Sequence, residues 1–310
     1  MKVLICDPVA PETIQALESA GIEVDNRPEI TAGELLRDAG QYDGMVVRSR
    51  TRVPKEVIDA ATNLKIIVRG GVGLDNIDVP YAQSKGVSVR NTPKASSNSV
   101  AELALAYMLC LARRIPQAFM SMTQGEWKKK QFKGTEIAGK TLGLIGFGNI
   151  GSLLGQKASA LGMDVIFYDV VTPADPGPAR QVSLEEIFSQ SDFISLHVPY
   201  LPATKNLLNA ETFAKMKDGV FIVNCARGGI VDEDDLCDAL TSGKVAGAAL
   251  DVYLDEKVTP GNPKLFAIKD GDDCNRVIGS PHIGAATVEG QARVGQEVAD
   301  ILIEFYQQNP

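Results

Sequence analysis

The stretch TLGLIGFGNIGSLLGQKASALGMDVIFYD, residues 141–169, constrains the fold more than any other part of the chain. An apolar run predicts a strand, Gly146, Gly148 and Gly151 follow in G-x-G-x-x-G spacing, and a helical segment then leads to a second strand ending at Asp169. Each glycine meets a separate demand: the first permits a tight turn, the second lets the backbone approach a pyrophosphate, and the third lets helix pack closely on strand. The helix start, at Asn149 and Ile150, presents N–H groups without intrahelical partners and the positive end of the peptide dipoles, a ready site for phosphate. Asp169 stands near the spacing of about 20 residues expected of a carboxylate that accepts hydrogen bonds from ribose hydroxyls. A 2′-phosphate would be repelled there and no arginine follows Asp169 directly, so the pattern predicts NAD rather than NADP.

The chain has 310 residues, which predicts about two domains. From Met1 to about Asn91 the runs KVLIC, MVVRS, KIIVR and VSVRN alternate with amphipathic segments, and the Gly-rich stretch opens a second series through DVIFYD, FISLHV, VFIVNC, AGAALDV and NRVIGS. This alternation predicts an α/β protein with two doubly wound, mostly parallel sheets whose ligands sit at the carboxyl ends of the strands. Arg48 and Arg69 each close a strand of the first series. A connecting helix is expected from near Ser99, where SSNS offers capping side chains and Glu102 follows in capping-box spacing. A last helix is expected from about Ala286 to Gln308, with Val288, Val294, Val298, Ile301, Leu302 and Phe305 on its apolar face, returning to the first domain.

Hydrophobic residues at 45% and charged residues at 23% match an ordinary globular mixture. The net charge of −8 argues against a general nucleic-acid binder, whose affinity would come from clustered cations. The basic run Lys128–Lys130 reads as solvated surface, or as a local contact for an anion or a neighbouring subunit. The five cysteines are scattered without a C-x-x-C pair, so neither a disulfide framework nor a zinc site is expected, and no metal is implied. With no signal-peptide pattern at MKVLICDPVA and no apolar run of membrane-spanning length, a cytoplasmic protein without a membrane partner is expected.

Only two histidines occur, so an acid or base titrating near neutrality must be His197 or His282. His197 closes the strand FISLHV before Pro199, where it reads as a histidine beside the adenosine of the cofactor, whereas His282 lies in the loop SPHIGAAT after the last strand.

The segments VRSRT, RGGVGLDNID, NTPKASSNSVAELA, LGLIGFGNIG, SLHVP, NCARGGIVDE, GAALDV and SPHIGAAT together resemble the D-isomer-specific 2-hydroxyacid dehydrogenases, most closely the D-3-phosphoglycerate dehydrogenases among them. The resemblance spans nearly the whole chain and matches the short form that lacks a C-terminal regulatory domain. It implies an NAD-dependent oxidoreductase acting on a small D-2-hydroxy acid, with a Rossmann NAD-binding domain, residues 98–285, inserted in a flavodoxin-like substrate domain, residues 1–97 and 286–310.

The same resemblance places the catalytic arginine at Arg227, the acid at Glu256 and the histidine at His282. A guanidinium can fork the carboxylate and carbonyl of a 2-oxo acid, which a lysine would do less specifically. Reduction leaves alkoxide character on the substrate oxygen, so a positioned imidazolium must supply a proton, and a neighbouring carboxylate favours that protonated form. Lys257 stands where relatives carry proline, and Asp255 is the alternative carboxylate. Cofactor contacts are implied at His197, Val198, Pro199, Cys225, Ala226, Asp251, Gly284 and Ala285, beside the Gly-rich residues and Asp169. Backbone N–H groups of Gly70, Gly71 and Val72 are the implied cradle for the substrate carboxylate, with Arg48 and Arg69 suited to a substrate phosphate. Trp127 falls in a segment that in the family contributes to a dimer contact, so a homodimer is expected. The substrate implied is 3-phospho-D-glycerate, oxidised at the entry to serine biosynthesis. Relatives acting on hydroxypyruvate or glyoxylate share the catalytic residues, and a non-enzymatic NADH-sensing co-repressor would use the same fold with an exposed peptide-binding surface. Tyr81 and Lys85 match a Y-x-x-x-K pair but precede the Gly-rich loop instead of following it, so helix packing is the expected role.

Overall fold

The computed structural model describes residues 1–256, 263–270 and 274–309; Lys257 and the segment to residue 262 lie outside the described residues. The chain divides into two compact units, Met1–Ser97 with Ala285–Pro310, and Asn98–Gly284. The first unit holds five parallel strands, β1 (Lys2–Ile5), β2 (Glu23–Asn26), β3 (Gly44–Val47), β4 (Ile66–Arg69) and β5 (Ser88–Asn91), in the order β2-β1-β3-β4-β5. That is the flavodoxin-like order, whose ligand crevice opens where the winding reverses, between β1 and β3.

The second unit carries β6 (Thr141–Ile145), β7 (Asp164–Tyr168), β8 (Arg180–Gln181), β9 (Phe193–Leu196), β10 (Val220–Asn224) and β11 (Val245–Leu250). A short antiparallel pair follows, β12 (Lys269–Asp270) with β13 (Cys274–Asn275), and β14 (Val277–Gly279) completes the main sheet. The order β14-β11-β10-β9-β6-β7-β8 is the Rossmann arrangement with one added edge strand, and its reversal lies between β6 and β9. The Gly-rich loop leaves β6 at that point.

Strand periodicity decides which side chains face which layer. In β1, Val3 and Ile5 join one core cluster and Leu4 the other, because successive residues of a strand point to opposite faces. Val3, Ile5, Val46, Ile66 and Val68 pack against Leu17 and against Val294, Val298, Ala299 and Leu302 of the final helix. In the second unit the helix Ser97–Arg113 lays Ala101, Ala104, Met108 and Leu111 on Leu142, Leu144, Phe193 and Val223. Strands covered on both faces read as continuous apolar runs, which is why they stand out in the sequence.

Three details depart from the sequence-based expectation. The connecting helix begins at Ser97, so Ser99 lies inside its first turn instead of capping it, and Glu102 accepts from Asn98 Nδ2 at 2.8 Å. The final helix is Val288–Gln308 with Thr287 as its cap, accepting from the Gly290 N–H at 2.9 Å, and Val288 is 84% exposed, off the buried face. The edge strands β2 and β8 carry the polar sequences EVDN and RQ, without the apolar run that marks a buried strand. No helix among the described residues is long and apolar enough to cross a membrane.

Leu302 is fully buried under the first sheet, so Leu302→Ala is expected to cost about 2–5 kcal/mol. Urea unfolding checks this, and an unchanged midpoint would mean that the helix is not part of the core.

Candidate active site

The Gly-rich loop is sterically determined. At Gly146, with φ +95°, a side-chain carbon would stand 2.5 Å from the His197 carbonyl oxygen, and at Gly151 it would stand 2.2 Å from the Gly146 oxygen. The chain passes so close to itself at both points that only glycine fits. A carbon added at Gly148 would meet nothing within 4 Å, so the space above the turn is open on the side where a pyrophosphate would approach. The helix Asn149–Ala160 begins there and offers its first N–H groups. Asp169 accepts from the Phe147 N–H at 2.6 Å and the Val171 N–H at 2.9 Å, tying the end of β7 to the loop while its remaining lone pairs stay able to accept. These residues fit a dinucleotide with free ribose hydroxyls.

His197 contributes its backbone to the seat of Gly146, and its ring is turned inward. Nε2 pairs with Ser195 Oγ at 2.9 Å, and Nδ1 is buried with no hydrogen-bond partner among the described residues. Burial pushes its pKa down to about 4, so the ring is neutral at working pH and cannot be the acid. Val198 packs against Gly146, and the Pro199 carbonyl accepts from Thr204 Oγ1 at 2.6 Å.

His282 stands in a different environment. Its Nδ1 lies 2.9 Å from Glu256 Oε2, and both side chains are about 40% exposed (39% and 41%). Glu256, not Asp255, is therefore the carboxylate that meets the histidine. Burial pushes the Glu256 carboxyl upward, but the hydrogen bond and charge of His282, the Tyr253 backbone and the Arg227 charge outweigh it, and the net direction is downward. Glu256 stays ionised at neutral pH. A cavity of about 470 Å³ opens beside the pair, lined also by Tyr253, Phe266, Gly279, Ser280 and Pro281.

Two loops place these groups. Asn224, buried at the end of β10, donates to the Arg227 carbonyl at 2.9 Å and accepts from the Ala226 N–H at 3.0 Å, bracing the turn Cys225–Arg227. Cys225 and Ala226 are themselves buried. A side-chain carbon on Gly228 would lie 1.8 Å from the Tyr253 carbonyl oxygen, so this glycine lets the Arg227 turn press against the segment leading to Glu256. The Gly-Gly pair after Arg227 was the available signal for that close approach. Asp251, expected as a cofactor contact, is 1% exposed and holds the histidine loop: it accepts from the Ile283 N–H at 2.8 Å, the Gly284 N–H at 2.7 Å and Ser280 Oγ.

In the first unit, Asp7 at the end of β1 accepts from the Arg48 N–H at 2.5 Å and from Thr51, at the reversal between β1 and β3. The Arg48 guanidinium donates to Gln291 Oε1 and, at 3.4 Å, to the Pro8 carbonyl; its pKa is lowered by burial, which Asp7 opposes. Gln291 in turn donates to the Ala285 carbonyl at 2.9 Å. The Arg69 side chain folds over Gly71, where an added carbon would stand 1.7 Å from its guanidinium nitrogen. The expected cradle of three N–H groups is narrower than supposed. The Gly70 N–H already donates to Val47 O at 2.8 Å and the Gly71 N–H to Arg69 O at 2.9 Å, which leaves that of Val72. Continued pairing of β4 with β3 claims the first, and a tight turn back onto Arg69 claims the second. Tyr81 and Lys85 both engage Asp59, at 2.6 and 2.9 Å, in a surface cluster. No group of metal-ligating side chains occurs among the described residues.

Comparison with known proteins identifies the family. Residues 105–284 match the family model of the D-isomer specific 2-hydroxyacid dehydrogenase NAD-binding domain. The chain is 47% identical over 305 residues to a hydroxypyruvate reductase of Thermotoga maritima, covering 98% of this chain and 97% of that one. It is 45% identical over 307 residues to a D-3-phosphoglycerate dehydrogenase of Rattus norvegicus, covering 98% of this chain but only 56% of the relative's length. The fold superimposes with a TM-score of 0.85 and 29% identity on a D-lactate dehydrogenase from Aquifex aeolicus complexed with NAD and lactic acid, over 100% of this chain and 96% of that one. The chain belongs to the D-isomer-specific 2-hydroxyacid dehydrogenases. It is an NAD-dependent oxidoreductase of that family.

The buried His197 makes a pH prediction. An unfolded histidine binds a proton below about 6.5, whereas the folded ring stays neutral down to about 4, so stability falls as pH drops through that window. His197→Gln is expected to flatten this slope, by at most about one proton, in urea midpoints measured from pH 7 to 4. An identical slope would refute the assignment.

Proposed function

We propose that this enzyme oxidises 3-phospho-D-glycerate to 3-phosphohydroxypyruvate, the step that supplies a carbon skeleton for serine, in the cytoplasm. The observation that carries the substrate class is the pair of guanidinium groups, Arg48 and Arg69, at the carboxyl ends of β3 and β4, with Arg69 folded over the Gly71 backbone. Two such groups suit a phosphate dianion in addition to a carboxylate. The second reading is hydroxypyruvate reduction, favoured by the Thermotoga relative that matches end to end. The four described cysteines that are free, Cys6, Cys110, Cys225 and Cys237, are in keeping with a reducing compartment.

Gly146–Gly151 and Asp169 would hold NAD, which when bound would supply the hydride chemistry. Arg227 forks the substrate carboxylate and carbonyl, orienting the carbonyl carbon and drawing charge onto its oxygen. Glu256 engages Nδ1 of His282, which leaves Nε2 as the nitrogen that exchanges a proton with the substrate oxygen: base in oxidation, acid in reduction.

The reading is tested by following absorbance at 340 nm with 3-phosphoglycerate, and with hydroxypyruvate and glyoxylate in the opposite direction. Turnover selective for 3-phosphoglycerate and abolished in Arg69→Ala supports it; turnover confined to the unphosphorylated acids replaces it with the second reading. His282→Ala is expected to bind NADH while losing about 10²–10⁴-fold in kcat, and full turnover in that variant would remove the histidine from the mechanism.

A homodimer is part of the proposal. The helix Ile115–Thr123 exposes Ile115, Phe119, Met120 and Met122, and Trp127 just beyond is 80% exposed, an apolar surface larger than scattered residues require. A second copy would cover it. Light scattering is expected to show a dimer that Phe119→Glu with Trp127→Glu converts to a monomer; a monomeric wild-type protein at micromolar concentration would end the idea.

A further inference from the structure

We infer that Tyr107 is a positioning residue for catalysis, its hydroxyl holding, through Ser280 and Asp251, the backbone that carries His282. The inference rests on the reading of His282 as the acid–base group.

Tyr107 occupies a face of the helix Ser97–Arg113 that is otherwise built from Val100, Ala104, Met108 and Leu111, all buried. A phenol brings a polar group into that core, and burying it without a partner is unfavourable. Its oxygen meets Ser280 Oγ, and Ser280 Oγ meets Asp251 Oδ1. The polarity of this chain follows from proton counting. Ser280 Oγ donates its single proton to Asp251 Oδ1; Ser280 can then only accept from Tyr107, and the phenol is the donor. Burial and the Asp251 charge both push the phenol pKa upward, opposed by the Ser280 bond, so the donor proton is retained throughout the working range.

The same Asp251 carboxylate accepts from the Ile283 and Gly284 N–H groups. Hydrogen bonds from residues 280, 283 and 284 therefore bracket His282 on both sides. This matters because His282 has φ +53°, the left-handed region, which disfavours a residue with a side chain and persists only where its surroundings enforce it. Ser280 N–H also donates to Leu250 O at 3.0 Å, so the loop is pinned at its root by backbone and above it by the Tyr107–Ser280–Asp251 chain. Removing the phenol hydroxyl deletes the last donor of that chain and leaves the ring to fill its space.

The test compares wild type, Tyr107→Phe, Ser280→Ala, Ser280→Thr and His282→Ala as intact enzymes, recording kcat, KM for NADH and the thermal midpoint. Tyr107→Phe is expected to lower kcat about tenfold with KM for NADH and the midpoint nearly unchanged, since small misplacements of a reacting group are costly. Ser280→Ala should lose at least as much, and Ser280→Thr, which keeps the hydroxyl, should recover most of it. If Tyr107→Phe and Ser280→Ala both keep kcat within twofold of wild type while His282→Ala is inactive, the positioning role is wrong and the acid–base reading stands. If kcat, NADH binding and midpoint fall together in Tyr107→Phe and Ser280→Ala, the hydroxyls serve the fold alone and the inference is overturned. Turnover retained by His282→Ala overturns the acid–base reading itself.

Discussion

The buried carboxylate of Asp251 needs partners, and the chain supplies them from the loop that carries His282. β11 and β14 pair in parallel with Leu250 opposite Gly279, so the residues that follow the two strands emerge side by side at the carboxyl end of the sheet. Asp251 begins one loop and Ser280 the other. A carboxyl group at 1% exposure is tolerated only when its oxygens have partners, and here two backbone N–H groups and a serine hydroxyl supply them. Sheet register thus becomes loop position, and loop position becomes the 2.9 Å contact between His282 and Glu256.

Close backbone approach does the corresponding work elsewhere. Gly146 and Gly151 allow the turn after β6 to fold against the carbonyl of His197 and against itself, which leaves the helix start open to a dinucleotide. Gly228 allows the Arg227 turn to lie on Tyr253. In each case a methyl group would collide with a main-chain oxygen that cannot move without moving a strand. The glycines are thus geometric conditions for these two turns.

Much of this was legible in the chain itself. Buried parallel strands declare themselves as apolar runs, and G-x-G-x-x-G with a following acid names the cofactor through a local mechanism. What escaped was whatever depends on a neighbour distant in sequence. The edge strands β2 and β8 are polar because one side has no partner strand and their faces are less covered. Ser99 looked like a cap, but the helix begins two residues earlier, at Ser97. Gly70 and Gly71 looked like two free donors, yet Val47 and Arg69 carbonyls take them. Asp255 stood as the alternative to Glu256, and it is Glu256 that reaches His282.

The sequence by itself determined the fold class and the cofactor, because periodicity and glycine spacing are local properties. Tertiary structure alone decided which of two adjacent carboxylates pairs with the histidine, that His197 is too desolvated to act as an acid, that Asp251 anchors a loop, and that Tyr107 stands beneath Ser280. Those outcomes depend on strand order and register, which bring residues far apart in the chain within hydrogen-bond distance, and on burial, which sets the charge a group can carry.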